Sequence, residues 1–345
     1  MNSQRKMRVV QVGVGGFGGA RRKRMRETGL FDLVGAYDWN SKVLARACEE
    51  ESAEATGSYE ELIDLPDIEA VVISTGAKYH AQQVLDAAEK GLHVFVEKPL
   101  CSTPAELNRL IELDSESDVI IGVGHNNHKH DAVALTIQRK IDAGELGDVV
   151  TFEKTTAHSG GLVMEPDEWR ADPEKNPGGM LFQCGVHSIH ELAFYFGPIA
   201  EVYSTMQHDI HSSETADIAL CHLKFTSGLV GTLNAYHVTP YRHTLSIFGT
   251  RVNIYRDVRY HGEGTALLTQ ETHLNGKEEP RLPLEPIGEN DVGGNLRSFY
   301  NAVRSGDELY PSLIDGARAV AVVFAAEKSA REKRWVEVDE RLSKV

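Results

Sequence analysis

The stretch Met7-Arg8-Val9-Val10-Gln11-Val12-Gly13-Val14-Gly15-Gly16-Phe17-Gly18 decides the fold. A short apolar run ends on a Gly-x-Gly-x-x-Gly pattern, and a helical stretch follows over residues 15–28. The pattern alone is a weak signal. Here a strand precedes it, a helix opens on it, and Asp38 ends the next apolar run (residues 33–37), 20 residues after Gly18. Those contexts are what dinucleotide binding requires. Gly13 permits the tight turn, and Gly15 lets a pyrophosphate approach the backbone. Gly18 lets helix and strand pack closely, with the helix N-terminus facing the phosphates. Gly16 and Phe17 belong to the same cofactor loop. Asp38 would accept hydrogen bonds from the ribose hydroxyls and repel a 2′-phosphate, which favours NAD over NADP. Lys42, just beyond it, keeps NADP open.

The same rhythm runs outward from this stretch. Residues 70–74, 93–97 and 119–123 read as further strands, separated by helical patterns over 41–51, 79–90 and 104–113. The strands are rich in Val and Ile, as expected when helices cover both faces of a sheet. Residues 1–126 therefore read as a doubly wound parallel Rossmann sheet, an α/β domain. Beyond Asn126 the pattern changes. After a helix over 132–143, strand-like runs at 149–155, 202–208, 216–225, 229–235 and 244–248 are interrupted by one helix, 180–196. Residues 127–345 thus read as an α+β domain with an open, largely antiparallel sheet, closed by helices over 295–304 and 313–331. Residues 162–177, rich in charge and proline, read as an ordered surface loop.

A length of 345 residues suits two domains. The 36 Lys and Arg against 51 Asp and Glu give a formal charge of −15, which argues against a nucleic-acid or anionic-membrane partner. Cys48, Cys101, Cys184 and Cys221 are far apart with no CxxC pair, so neither disulfides nor structural zinc is expected, and a reducing cytoplasm fits. The N-terminus lacks a signal-peptide pattern, and no apolar run reaches membrane-spanning length.

Three further constellations bear chemistry. Arg21, Arg22, Lys23, Arg24 and Arg26 put five cations on the first helix; a solvated face is the simplest reading, a pyrophosphate contact from Arg21 or Arg22 the sharper one. Glu97-Lys98-Pro99 follows the fourth strand, at the carboxyl end where ligands bind in such sheets. A lysine there can hydrogen-bond a substrate hydroxyl, and partial burial can bring it towards proton transfer, while Pro99 fixes the turn, in cis if the turn demands it. On the 180–196 helix, Gln183, His187 and His190 fall on one face at 100° per residue, opposite an apolar stripe of Phe182, Val186, Ile189, Ala193 and Phe196. A neutral histidine is a good proton carrier near pH 7. No carboxylate or thiol completes a metal shell around the two histidines, so no metal is expected.

Together these residues resemble the glucose–fructose oxidoreductase / inositol dehydrogenase / rhizopine catabolism (Gfo/Idh/MocA) family, over about residues 7–338. The resemblance rests on GVGGFG at 13–18, VVISTGAKYH at 71–80, AAEKGLHVFVEKPL at 87–100, VGHNN at 123–127 and WRADPEKNPGGMLFQCGVHSIHEL at 169–192. It implies an NAD(P)-dependent oxidoreductase that moves hydride between nicotinamide and a CH–OH carbon of a sugar, inositol or related polyol. Lys98 and His187 match the family's catalytic pair. Ser74, Thr75, His80 and Glu97 fall with the cofactor contacts, and Gln183, His190, Trp169 and Arg170 with the substrate contacts. A homodimer or homotetramer through the C-terminal sheet is also implied. The chain departs from the family where Gln183 and His190 replace aspartates, where Gly76 replaces a proline after Thr75, and near His128, where an arginine is common. Gln183 cannot take a proton, so acid–base work shifts to Lys98 or His187, with the substrate hydroxyl set between them. Two other readings are an NAD-assisted, redox-neutral glycoside hydrolase or eliminase, and a non-enzymatic NAD-binding sensor.

Overall fold

A computed structural model describes residues 5–211, 213–258, 267–274 and 277–342. The chain forms two compact units: residues up to Asn127 together with Asp291–Ala317, and His128–Asn290 together with the chain from Arg318 onward.

In the first unit, β1 (Met7–Val12), α1 (Gly16–Thr28), β2 (Phe31–Tyr37), α2 (Ser41–Glu51), β3 (Glu54–Ala55), α3 (Tyr59–Ile63), β4 (Ala70–Ile73), α4 (Ala77–Glu89), β5 (His93–Val96), α5 (Pro104–Glu116) and β6 (Ile121–Val123) alternate along the chain. All neighbouring strands pair in parallel, in the order β3-β2-β1-β4-β5-β6. The order reverses between β1 and β4, and such a sheet binds its ligand at that point, outside the carboxyl ends. Val9, Val10, Val71, Val72, Val94 and Val96 are fully buried, because helices lie on both faces.

A single division near Asn126 would leave residues 291–317 in the second domain. The structure packs that segment in the first unit. The helix Gly294–Ser305 buries Leu296, Phe299 and Tyr300 in one cluster with Met7, Val9, Phe31, Val72 and Phe95. Phe299 meets Phe95 edge-on with ring centroids 5.7 Å apart, and Tyr300 meets Phe31 at 6.0 Å. The aromatic side chains of the helix complete a core that the first 127 residues leave open on that face.

In the second unit, α6 (Ala132–Asp142), β7 (Val149–Ala157), α7 (Val186–Phe196), β8 (Ile199–Gln207), β9 (Ile218–Phe225), β10 (Val230–Tyr236), β11 (Arg242–Gly249), β12 (Val252–Val258), β13 (Leu267–Leu274), β14 (Lys277–Glu278), β15 (Leu282–Pro283) and β16 (Val336–Glu337) follow. The sheet order is β14-β13-β12-β11-β7-β10-β9-β8-β16, with β15 on β13. Pairing is antiparallel except for β7 with β10. The strands alternate as a half-buried sheet must. In β9, Ala219, Cys221, Leu223 and Phe225 are buried, while Leu220 and His222 between them are exposed. Among the described residues no helix is long and apolar enough to cross a membrane.

Candidate active site

The glycine loop leaves β1 where the sheet order reverses. Gly13 has φ +77°, and a Cβ there would lie 2.6 Å from the Ser74 carbonyl oxygen at the end of β4. At Gly18 a Cβ would lie 2.0 Å from the Gly13 oxygen. Neither site admits a side chain. Gln11, which the sequence reading passed over, braces the turn: its buried Nε2 donates to the carbonyls of Gly18 at 3.0 Å and Gly13 at 3.3 Å, and to Ser74 Oγ at 3.4 Å.

Helix capping tests whether this end of the sheet fits a dinucleotide. Asn40, Ser58 and Thr103 cap α2, α3 and α5 with side-chain oxygens. By contrast α1 opens at Gly15 and α4 at Gly76, each without a side-chain cap and without an acid in its first turn. These are the helices that follow β1 and β4. Their first amides and dipoles suit an anion such as pyrophosphate. Asp38 Oδ2 accepts from the N–H groups of Val14 at 2.9 Å and Gly15 at 3.3 Å, and Oδ1 from Asn40 at 2.9 Å. The carboxylate thus clamps the loop and retains lone pairs for ribose hydroxyls. Phe17 of the glycine loop is 61% exposed, and Trp39, next to Asp38 in the chain, is 87% exposed, a flat ring that a purine can stack on.

The basic cluster on α1 is neither a solvated face nor a pyrophosphate contact at its two key positions. Arg21 and Arg22 are buried. Arg22 donates to the Val14 carbonyl at 2.7 Å and pairs with Glu50 and Glu51. Arg21 Nε donates to Glu97 Oε1 at 2.7 Å, and its guanidinium lies 4.7 Å from the centroid of the Phe95 ring. Glu97 is correspondingly an internal anchor, not a surface offered to a cofactor. Burial pushes its carboxyl up and Arg21 opposes that shift.

Lys98 follows directly, half-buried at the carboxyl end of β5, and the Lys98–Pro99 peptide is cis. His80, on α4, is buried with Nδ1 2.7 Å from the Pro99 oxygen and Nε2 3.0 Å from the Thr75 oxygen. Burial holds this imidazole below its ordinary value against the pull of the two carbonyls. Both ring nitrogens face backbone carbonyls. His80 ties the turn after β4 to the turn carrying Lys98 and does not present itself to a ligand. Thr75 Oγ1 donates to Gln83 Oε1 at 2.6 Å, and Ser74 is half-buried beside Gln11.

In the second unit the expected 180–196 helix divides. Leu181–Gly185 is a π-turn, and α7 begins at Val186. A π-turn closes hydrogen bonds over five residues and advances less per residue than 100°, so the count that aligned Gln183 with the two histidines does not carry across it. His187 and His190 remain one turn apart on α7. His187 is half-buried and Gln183 buried. His190 is 3% exposed, its ring centroid 5.1 Å from that of His128, which in turn stacks at 5.5 Å on Phe194. Burial, helped by His190, pushes His128 down to about 3, so this neighbour is neutral. The apolar stripe is as expected at Phe182, Val186 and Ile189, all essentially inaccessible.

The residue after His190 anchors the helix, and the sequence reading missed it. Glu191, buried, accepts from Lys154 Nζ of β7 at 2.5 Å, from Arg256 of β12, and from Tyr195 at 3.3 Å. The two cations hold its carboxyl well below the usual carboxylate range despite burial. The signal was Lys154 itself, a lysine at an inward position of an alternating strand. Trp169 and Arg170 lie on an exposed turn, Trp169–Ala171, with the guanidinium 4.9 Å over the indole and Nη1 on Glu168 at 3.2 Å.

Comparison with known proteins agrees with the two-part fold. Residues 7–125 match the family described as "Oxidoreductase family, NAD-binding Rossmann fold", and residues 134–255 match the "GFO/IDH/MocA C-terminal domain". The chain is 27% identical over 288 residues to myo-inositol 2-dehydrogenase of Thermotoga maritima, covering 81% of this chain and 83% of that protein. It is 28% identical over 289 residues to the NAD(+)-dependent scyllo-inositol 2-dehydrogenase of Bacillus subtilis, covering 81% and 80%. In fold it is similar to a putative NADPH-dependent oxidoreductase of Desulfitobacterium hafniense, with a TM-score of 0.91 at 23% identity over 98% of this chain and 99% of that one. The chain belongs to the Gfo/Idh/MocA family of oxidoreductases, with an NAD(P)-binding Rossmann domain at its N-terminus.

Proposed function

We propose that the protein is an NAD-dependent dehydrogenase acting on a CH–OH group of a sugar, inositol or related polyol, with Lys98 and His187 as its proton-handling groups. The observation that carries this reading is Lys98 at the carboxyl end of β5, on the same sheet end as the Gly13–Gly18 turn and fixed there by Arg21–Glu97 on one side and His80 on the other. NAD held by the Gly13–Gly18 turn, the open ends of α1 and α4, and Asp38 supplies the hydride acceptor. Lys98 hydrogen-bonds the reacting hydroxyl and His187 is its partner in accepting the proton, while Gln183, unable to ionise, orients a neighbouring hydroxyl. Trp169 and Arg170 offer an exposed ring and a cation for the rest of the substrate. The outward face of the second sheet, with Leu220 42% exposed on β9, is the surface through which a homodimer or homotetramer would form. The reading fits a protein working in the cytoplasm.

The test is a screen for NAD⁺ reduction over sugars, inositols, other polyols and glycosides, repeated with NADP⁺. Stoichiometric NADH release with one polyol class is expected. Turnover of a glycoside without net NADH would instead place the protein among redox-neutral lyases or hydrolases, and NAD⁺ binding with no turnover on any compound would make it a sensor. A second expectation concerns the cofactor. Asp38→Asn removes the charge that favours ribose hydroxyls over a 2′-phosphate, so NAD⁺ affinity should fall by roughly tenfold or more. The preference for NAD⁺ over NADP⁺ should narrow with it, as read by titrating both cofactors. An unchanged preference would mean that Asp38 acts only as the loop clamp.

A further inference from the structure

Three side chains of the second unit, outside the residues assigned above, converge where β8, β9 and β10 end together. Gln207 of β8 pairs with Ile218 of β9, which pairs with Tyr236 of β10. That register sets Asp217, just before β9, beside His237, just after β10, and the His237 amide donates to the Asp217 carbonyl at 3.2 Å. The loop after β8 brings in His211. The Asp217 carboxylate is fully buried, His237 is 1% exposed, and the His211 side chain is 3% exposed. His211 Nε2 lies 2.6 Å from His237 Nε2 and 2.9 Å from Asp217 Oδ1, and one ligand atom from each residue falls within 4.8 Å of the others.

The protons do not suffice for the acceptors. The His237 ring hydrogen-bonds the Ala216 backbone, and its Nε2 faces His211. His211 Nε2 stands between His237 Nε2 and the Asp217 carboxylate, and a single N–H there cannot serve both. A buried carboxylate is costly unless neutralised. Backbone N–H groups of Ile210 and His211 reach the Asp217 carboxylate at 2.5 Å and 3.2 Å, but they bring no full charge.

We propose that His211, Asp217 and His237 bind one divalent transition-metal ion, zinc being the ion best suited to two imidazoles and one carboxylate. Binding through His211 Nε2 moves the neutral ring's one proton to Nδ1, which then donates to Ser213 Oγ at 2.9 Å and gives up the 3.3 Å bond it accepts from the Ser213 amide. The Ala216 carbonyl and Ser213 hydroxyl are then the outer partners that fix the two rings, as outer partners of metal-bound histidines generally do. Zinc–ligand distances of about 2.0–2.2 Å place neighbouring ligand atoms roughly 3.3 Å apart, so the two Nε2 atoms, now 2.6 Å apart, separate by about 0.7 Å. Water completes the coordination. The site ties down the neighbouring surface turns. The Gly161 amide donates to the His237 carbonyl at 2.7 Å, and Thr215 Oγ1 donates to the Arg170 carbonyl at 3.2 Å. The bound ion is therefore a structural clamp on the segment carrying Trp169 and Arg170.

The test uses the full chain, free of any histidine tag and stripped with chelator. Titration with Co²⁺ followed by visible absorption, and with Zn²⁺ by calorimetry, should give one ion per chain, and Zn²⁺ should raise the melting temperature. His211→Gln, a loop substitution, and His237→Gln should each weaken binding at least tenfold, with far-UV circular dichroism unchanged for His211→Gln. Two results overturn the proposal: a folded wild-type chain that takes up neither ion, in which case the cluster is a hydrogen-bonded triad, or binding that survives unchanged in His211→Gln.

Discussion

Lys98→Ala should lower kcat for the polyol identified by the screen by about 10²–10⁴-fold, the range that a positioned proton-transfer group contributes. The affinity for NAD⁺ should stay within a few-fold of wild type. The separation follows from how the residue is held. The backbone around Lys98 is held by its neighbours: Glu97 is locked to Arg21, and the Pro99 carbonyl lies against His80. Removing the amine therefore leaves the turn and the glycine loop in place. Lys98→Arg sharpens the result. A guanidinium keeps the charge and can still hydrogen-bond a hydroxyl, but it does not give up its proton in proteins. If Lys98 transfers a proton, the arginine variant should be about as slow as the alanine variant. If it acts only as a fixed positive charge, the arginine variant should recover most of the rate. Turnover by Lys98→Ala within a few-fold of wild type would remove Lys98 from the chemistry and leave His187 as the proton carrier.

What could be read from the sequence follows the range of the forces involved. The turn at Gly13–Gly18 was legible because its constraint is local: a positive φ at Gly13 and a 2.0 Å approach at Gly18 demand glycine within six residues of each other. The strands of the parallel sheet were legible because burial on both faces leaves an uninterrupted apolar run. Strands β12 and β13 were not. Val252–Val258 has one buried residue, Ile254, and reads as polar, since these strands lie far out in the sheet with little to cover them. The return of Gly294–Ser305 to the first unit was invisible for another reason. An amphipathic helix announces that it has an apolar face but not which core takes it.

The site shows the same limit. Lys98 and His187 stood out by residue type and position, yet the residues that hold their surroundings did not. Arg21 and Glu97 are 76 positions apart, and Lys154 and Glu191 are 37 apart. Charges at such separations look like ordinary surface charges until the fold brings them together. The π-turn at Leu181–Gly185 carries no residue signature, so a regular helix was the natural reading and Gln183 was placed with the histidines by a periodicity that does not hold there.

Glu191→Ala should destabilise the protein by about 3–5 kcal/mol, the cost of removing one partner from a buried ion pair. The carboxylate faces Lys154 and Arg256, and Lys154 is as buried as Glu191 itself. Without it two cations are left side by side in the interior, with burial already pushing Lys154 below its ordinary value. Replacing the whole triad should behave differently. Lys154→Met, Glu191→Leu and Arg256→Met together remove every charge and should lie much closer to wild type in denaturant midpoint, since apolar side chains of similar volume often substitute for a buried ion network without net loss. The pH dependence has a definite sign. The folded state holds Glu191 well below the ordinary carboxylate value, so its contribution is present above that ordinary value and is lost as pH falls through it towards the folded-state value. The acid limb of the stability profile should therefore be shallower in the triple variant than in wild type. Function should separate from stability here. Glu191 fixes α7 against β7 and β12, and α7 carries His187 and His190. The triple variant should thus fold, bind NAD⁺ as wild type does, and turn over more slowly with a raised KM, because the helix has lost the contacts that set its position. A triple variant that is as stable and as active as wild type would show that packing alone places α7, and a Glu191→Ala variant of wild-type stability would show that water reaches the two cations.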